Sequence, residues 1–319
     1  MTISTCFLIL TNRCDSRCRA CSYWQQKTKY YLDLSVIEEI YYHFANQGGN
    51  TIFLTGGEPT LHPDFIEIAR LANEYGFITI LCTNGNRINS LFNQVKDYID
   101  SYSISFDGDT ARLYKSIRGV DFYPKILRFI DMVKDYDDRI QVWLSCMIQK
   151  KNHDRLSKIL YKVSTLRANG IYFVVPEIRG GCFGREEELK DKVKEELLLT
   201  KDDIFVFKEE IEQMFKLDAQ LAIPKLIQSK QLLYDYITYF KSFYEENLLM
   251  PRVCGVPYNS VVITEKEFLK PCFYLPPEYK FNPGQNPFNS QNLKEFWNDF
   301  SVNPIYKNDL CKRCFQFKG

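Results

Sequence analysis

The sequence predicts an α/β protein built on a mostly parallel sheet. Three observations lead there. Short apolar runs of strand type alternate with amphipathic helical stretches through the first two thirds of the chain, the pattern of a βαβ fold. The strand runs are apolar almost throughout rather than at every second residue, as in strands buried on both faces. The unusual loops, Thr11–Cys21, Gly56–Pro59 and Thr83–Gly85, follow predicted strands at their C-terminal ends, where a curled or barrel-like sheet of this kind carries its function.

The strands read in order are Cys6–Leu10, Thr51–Thr55, Phe77–Cys82, Ser101–Phe106, Ile140–Ile148 and Ile171–Pro176. Each is rich in Ile, Val, Phe or Tyr and bounded by Gly, Asn or Asp. Between them, Ser35–Gln47 opens with a capping box of Ser35 and Glu38 and gathers Val36, Ile37, Ile40, Tyr41 and Phe44 on one side. Pro63–Tyr75 has proline in its first turn and Gly76 just past its end. Pro124–Tyr136 and His153–Asn169 follow the same plan, and the repeated alternation requires right-handed crossovers. From Arg185 to Asn247 the chain turns to charged amphipathic helices, with Glu186–Glu196 read as a solvated one and Pro224 as a break. Beyond Met250 it is rich in Pro, Asn, Phe and Tyr and resumes short strands at Ser260–Thr264 and Glu267–Pro271. The expected units are therefore 1–184, a helical linker or cap at 185–249, and a small unit at 250–319.

The 319 residues suffice for one large domain and a small one. Forty-one Lys and Arg against 40 Asp and Glu give a net charge of +1, which argues against a nucleic-acid or anionic-membrane partner. No apolar run approaches the roughly 20 residues of a membrane helix. Met1 to Leu10 carries no basic n-region or small-residue cleavage site. A cytoplasmic protein is expected.

The 11 cysteines are the anomaly, since eight of them gather near the two ends of the chain. In a reducing compartment such groups bind metal or do redox chemistry. Cys14, Cys18 and Cys21 form a C-x3-C-x2-C loop after the first strand. Three thiolates are one short of structural zinc, and none of the three histidines, His43, His62 and His153, lies nearby. A [4Fe–4S] cube on three thiolates leaves one iron open to an outside ligand.

At this point the chain resembles the radical S-adenosylmethionine (SAM) superfamily. The resemblance rests on the three-cysteine motif after the first strand and on Gly56-Gly57-Glu58-Pro59 after the second, similar to that family's GGEP motif. It spans residues 1 to about 180 and implies a partial (β/α)6 TIM-like barrel. It also implies that SAM chelates the open iron through its amino and carboxylate groups, with the backbone at Gly56, Gly57 and Glu58 contacting the amino group. One departure is Ala20, where many members have an aromatic residue before the third cysteine; Tyr23 and Trp24 follow it. Ser105 and Asp107 at the end of the fourth strand sit where the family makes ribose or carboxylate contacts, and Arg118 resembles an arginine reaching the SAM carboxylate or the substrate. Thr83 at the end of the third strand faces the same place. Asp-Gly, Arg-Gly and Asn-Gly pairs are equally read as plain turns.

Cys254, Cys272, Cys311 and Cys314 make a second set whose spacing alone suits either zinc or a four-cysteine cluster. Its order of strands, Lys270-Pro271-Cys272, Asn292–Asn298 and a terminal C-x2-C pair resembles the auxiliary-cluster extension of many radical SAM enzymes, the twitch or SPASM-like domain. The resemblance thus implies two [4Fe–4S] clusters, SAM, and a flavodoxin- or ferredoxin-type electron donor. Cys6, Cys82 and Cys146, in apolar strands, are expected to be small buried hydrophobes. Cys182 lies in the loop Arg179-Gly-Gly-Cys-Phe-Gly, where a thiol can donate hydrogen to a substrate radical.

The implied activity is reductive SAM cleavage and hydrogen abstraction from a small-molecule or peptide precursor in natural-product biosynthesis. Its expected outcome is oxidation or epimerisation at a sugar, aminocyclitol or peptide carbon. A maturase forming a thioether or carbon–carbon crosslink is the second reading, lowered by the short stretch before the first motif. A non-catalytic cluster-binding scaffold is the third.

Overall fold

The computed structural model describes residues 3–245, 248, 256–275 and 279–289. Its first six strands are those expected, with bounds moved by a residue or two: β1 (Thr5–Thr11), β2 (Thr51–Gly56), β3 (Ile78–Thr83), β4 (Ser101–Ser105), β5 (Gln141–Met147) and β6 (Gly170–Val174). Each pairs in parallel with the next. This is the six-stranded parallel sheet of a partial TIM-like barrel. Alternation of side chains sorts its two faces. Leu8, Leu54, Leu81, Ile104, Leu144 and Phe173 are fully buried on the face covered by helices; each contributes roughly 1.5–3 kcal/mol relative to exposure. The opposite face carries Phe7 stacked on Phe53 at 4.4 Å and a polar row, in which the Ser103 hydroxyl meets the Tyr172 hydroxyl at 2.6 Å.

The crossover helices are α1 (Leu34–Asn46), α2 (Phe65–Glu74), α3 (Ile88–Val95), α4 (Ala111–Arg118), α5 (Tyr123–Tyr136) and α6 (Leu156–Ser164). The expected capping box at Ser35 is replaced. Asp33, in extended conformation, caps α1 by accepting the Ser35 N–H at 2.8 Å, because a carboxylate two residues earlier outcompetes a hydroxyl for the free amides. Gly76 does close α2, with φ +76°. The helix expected from His153 starts only at Leu156. Asn152, fully buried, is instead held in a loop, accepting the Gln149 N–H at 2.9 Å and donating to the carbonyls of Asp107 and Met147.

The six-stranded parallel sheet ends on neither side as a bare edge: β6 is covered by a loop segment and β1 is extended by further strands, which occupies their backbone donors and acceptors. On the β6 edge, Gln228 accepts the Phe173 N–H at 2.5 Å and donates to the Phe173 carbonyl at 2.8 Å. This segment links α8 (Lys201–Asp218) to α9 (Lys230–Lys241), with Pro224 between them as expected. Of the helix expected at 186–196, only α7 (Asp191–Leu197) forms; Leu189 is pinned by its N–H to the Ile178 carbonyl at 3.0 Å. On the other edge β7 (Ser260–Ile263) pairs in parallel with β1, and β8 (Phe268–Lys270) and β9 (Tyr279–Lys280) extend it antiparallel. The described sheet therefore has nine strands in the order β6-β5-β4-β3-β2-β1-β7-β8-β9. Among the described residues no helix is long and apolar enough to cross a membrane.

Candidate functional site

The cysteine loop leaves β1 on a firm base. Asn12, nearly fully buried, donates to the Thr28 carbonyl at 2.8 Å and accepts the Tyr30 N–H at 2.9 Å. Beyond it, the Ser16 N–H is directed at the Cys14 sulfur and the Tyr23 N–H at the Cys21 sulfur. Arg118 lies beside Cys18; Cys18 raises the cost of ionising Cys14 and Cys21, and Cys21 raises that of Cys14. Burial above all pushes the Cys14 and Cys21 thiols up to about 12, so each holds its proton until a metal displaces it.

These residues fit an iron–sulfur cube. Three neighbouring thiols receive N–H groups suited to thiolates, and two more polar atoms there, the Ser16 hydroxyl and Arg118 Nε, are buried without a partner. Among the described residues no three or more His, Cys, Asp and Glu side chains converge as a single metal ion needs. A cube takes one thiolate per iron and needs no such convergence.

The glycines after β2 are required by a backbone-to-backbone approach. The Gly57 and Glu58 N–H groups donate to the carbonyls of Thr11 and Arg13 at 2.8 and 2.7 Å. A Cβ on Gly57 would lie 2.1 Å from the Arg13 carbonyl oxygen, and Gly56 adopts φ +131°. The motif thus clasps the stem of the cysteine loop. Pro59 opens a short 3-10 turn, Pro59–Leu61. The Glu58 carboxylate, fully buried, accepts from Thr60 Oγ1 at 2.6 Å, Thr83 Oγ1 at 2.8 Å and the Asn84 N–H at 2.7 Å. Asn84 in turn donates to Asp15 at 2.6 Å, and Asn86 to its other oxygen at 2.5 Å.

Asp107 and Arg118 meet at 3.3 Å, and Asp107 also accepts the Met147 N–H at 2.7 Å. Arg118 ends α4, and Gly119 closes that helix with φ +70°; here the site residue and the plain turn are one feature. Ser105 lies on the polar face of the sheet, paired with Ser145. Cys6 and Cys146 are fully buried as expected. Cys82 differs: it faces the polar side, half-buried and bonded to Ser103 and Thr55.

The loop after β6 closes on the cysteine loop. Phe183, at φ +53°, accepts the Ser22 N–H at 2.9 Å, and Gln26 donates to the Gly184 carbonyl. Arg185 donates to the Ala20 carbonyl at 3.1 Å and to the Cys182 sulfur at 3.3 Å, and also to the Glu177 carbonyl. Cys182 is 5% exposed. It lines a cavity of about 1250 Å³ between this loop, the cysteine loop and the β7–β8 hairpin. Cys272 lies within electrostatic reach of it, and the Tyr274 and Leu275 N–H groups point at the Cys272 sulfur. Cys254, Cys311 and Cys314 lie outside the described residues. Arg185 and Asp15 gained their places here without any local sequence signal.

Fold and site together define the class: a partial parallel barrel whose first loop presents three thiols to a glycine-clasped pocket. Residues 8–160 match the family model described as the Radical SAM superfamily, and the chain carries a radical SAM domain. Among curated proteins it is 27% identical over 173 residues to a "Probable GTP 3',8-cyclase" of Saccharolobus solfataricus, covering 52% of this chain and 55% of that one. It is 34% identical over 131 residues to the "GTP 3',8-cyclase" of Haemophilus influenzae, 39% of each. The chain thus spans about half the length, or less, of these relatives. Among solved structures, SuiB of Streptococcus suis bound to S-adenosylmethionine superposes with TM-score 0.68 at 15% identity, covering 99% of this chain and 71% of that one. BtrN in complex with AdoMet and 2-DOIA gives TM-score 0.52 at 12% identity, covering 98% and 93%. These likenesses are of fold.

Proposed function

We propose that this protein is a radical SAM enzyme that abstracts hydrogen from a small-molecule or peptide precursor and oxidises or epimerises one of its carbons. The carrying observation is that Cys14, Cys18 and Cys21 neighbour one another on a single loop whose stem is clasped by Gly56–Glu58 at one end of the sheet. Reduced and bound there, a [4Fe–4S] cluster would supply the electron that splits SAM into methionine and a 5′-deoxyadenosyl radical. The protein's own part is placement. Cys14, Cys18 and Cys21 hold three irons, and the backbone at Gly56, Gly57 and Glu58 meets the SAM amino group. Thr83, Ser105, Asp107 and Arg118 border the same space, where Arg118 is suited to a carboxylate. Pro59 and the Glu58 carboxylate shape the pocket from behind.

Cys182, on the wall of the cavity, is the hydrogen donor if the outcome is epimerisation. Residues 250–319 are read as a twitch-like unit holding a second [4Fe–4S] cluster on Cys254, Cys272, Cys311 and Cys314, fed by a flavodoxin- or ferredoxin-type donor. The N–H groups aimed at Cys272 favour a metal-bound thiolate there. The relatives named as cyclases and the neighbour solved with precursor peptide SuiA keep cyclisation and peptide crosslinking as alternatives. Anaerobic reconstitution tests the reading. The chain should bind about eight irons and the Cys14/Cys18/Cys21→Ala variant about four. With dithionite, only the former should form 5′-deoxyadenosine. Cleavage surviving in the variant would overturn the cluster assignment.

A further inference from the structure

Parallel sheets are ordinarily covered on both faces, but the inner face of this one stays partly open. On the helix-covered face Leu54, Ile104 and Leu144 are fully buried. Their neighbours on the other face, Thr55, Ser105 and Ser145, are only half-buried, as are Cys82 and Tyr172. This open face is rich in hydroxyls. From β2 to β6 it presents Thr55, Cys82, Ser103, Ser145 and Tyr172, one from each strand.

Register brings these groups side by side. Cys82 lies opposite Ser103, and Ser145 opposite Tyr172, on strands about 4.8 Å apart. Ser103 Oγ and Tyr172 Oη meet at 2.6 Å. Each hydroxyl donates once and accepts twice, so that bond leaves much of the row's capacity for a ligand. The row also adjoins the radical site. Ser105 borders the space given above to SAM and is paired with Ser145, while Ser103 lies two residues, roughly 6.6 Å, deeper on the same strand.

Two further features set the chemistry of what binds there. None of the six strands contains an Asp, Glu, Lys or Arg, so an ionised group resting on this face would lose water without gaining a counter-charge. On the β1–β2 side the same face is apolar. Phe7 and Phe53, both half-buried, stack at 4.4 Å, and Phe273 stands edge-on to Phe7 at 5.1 Å. Hydroxyls beside aromatic rings, with no charge between them, suit a ligand that carries many hydroxyls on a carbon ring.

We propose that this row is the recognition surface for the substrate and that it takes an uncharged, polyhydroxylated ring. Ser145 and Tyr172 exchange hydrogen bonds with the ring hydroxyls, and Phe7 and Phe53 meet its C–H groups. This names a substrate class for the reaction proposed above and rests on that reading. A sugar and a cyclitol share this chemistry.

The experiment uses the reconstituted full chain with SAM and measures binding by saturation-transfer NMR titration. The probes are methyl α-glucoside, myo-inositol, cyclohexanol and the peptide acetyl-Gly-Gly-Gly-amide. One of the two polyols should bind about tenfold or more tightly than cyclohexanol or the peptide. Tyr172→Phe and Ser145→Ala, which each delete one hydroxyl, should each weaken that polyol about fivefold. Binding of neither polyol, equal or tighter binding of cyclohexanol or the peptide, or an unaffected Tyr172→Phe or Ser145→Ala variant overturns the proposal. The polyol that binds more tightly separates sugar from cyclitol. If one variant fails to fold, the other variant and the wild-type preference for the polyol over cyclohexanol still decide. Substrate-free formation of 5′-deoxyadenosine is followed in the same samples, and its absence from the wild type would count against the radical reading without touching the binding result.

Discussion

The carboxylate of Glu58 accepts the backbone N–H of Asn84 at 2.7 Å, joining the loop after β2 to the end of β3. Thr60 and Thr83 fill its remaining positions, so in the protein alone this acidic residue is saturated by its own chain. Its contribution is to hold two strand-end loops at one spacing beneath the cysteine loop.

Glu58→Ala should therefore behave first as a stability mutation. It strands a buried amide and two hydroxyls, and unfolding free energy should fall by about 3 kcal/mol or more. Glu58→Gln, which keeps the shape and one acceptor, should lose less. Urea unfolding of both variants checks the order; equal, negligible losses would remove Glu58 from the positioning role.

Gly57→Ala should disable the first cysteine site without touching a cysteine. The added methyl meets the Arg13 carbonyl oxygen at 2.1 Å, and backbone cannot yield as a side-chain tip does. Iron and sulfide bound after reconstitution should drop markedly. Gly76→Ala is the matched control, with φ +76° but open space around its Cβ. It should cost roughly 1 kcal/mol of stability and leave iron content unchanged.

His62 should make the fold sensitive to mild acid. Nδ1 accepts the Asp64 N–H at 3.1 Å, which leaves Nε2 to donate to the Leu32 carbonyl at 2.9 Å. The neutral ring is fully used, and burial lowers its pKa below the ordinary 6.5. The unfolded chain then takes up the proton first, so stability holds above about pH 6.5 and declines as pH falls below it. Thermal unfolding of wild type and His62→Gln from pH 7.5 to 5 should show the gap between them narrowing on acidification. A constant gap would contradict this.

Cys182 distinguishes the two outcomes of the proposed reaction. Epimerisation needs a hydrogen atom from a thiol, whereas oxidation passes a proton and a second electron onward. Turnover of the true substrate in D2O should place deuterium at the inverted carbon, and Cys182→Ala should abolish it. An oxidised product without solvent deuterium, formed as fast by the variant, would assign Cys182 no hydrogen transfer.

The chain's alternation of apolar runs and amphipathic stretches settled the six parallel strands. The first cysteine group was legible because three ligands within eight positions of one loop are held together by the chain itself. The Gly76 helix end was legible for the same local reason, whereas Gly119 was legible only as a turn. The capping box at Ser35 was also a local reading, and it failed because Asp33 competes for the same amides.

What only the tertiary structure decided is the company these groups keep. Glu58 finds Asn84 across 26 residues, Asp15 finds Asn84 across 69, and Arg185 finds Ala20 across 165. Cys82 points to the polar face, and Cys182 comes within electrostatic reach of Cys272. A strand's period shows that a side chain alternates, but which face is lined with hydroxyls depends on the strands beside it. Spacing can announce a set of ligands on one loop; a buried carboxylate's partners come from whichever loops the parallel sheet gathers at its C-terminal edge, and no local pattern records that.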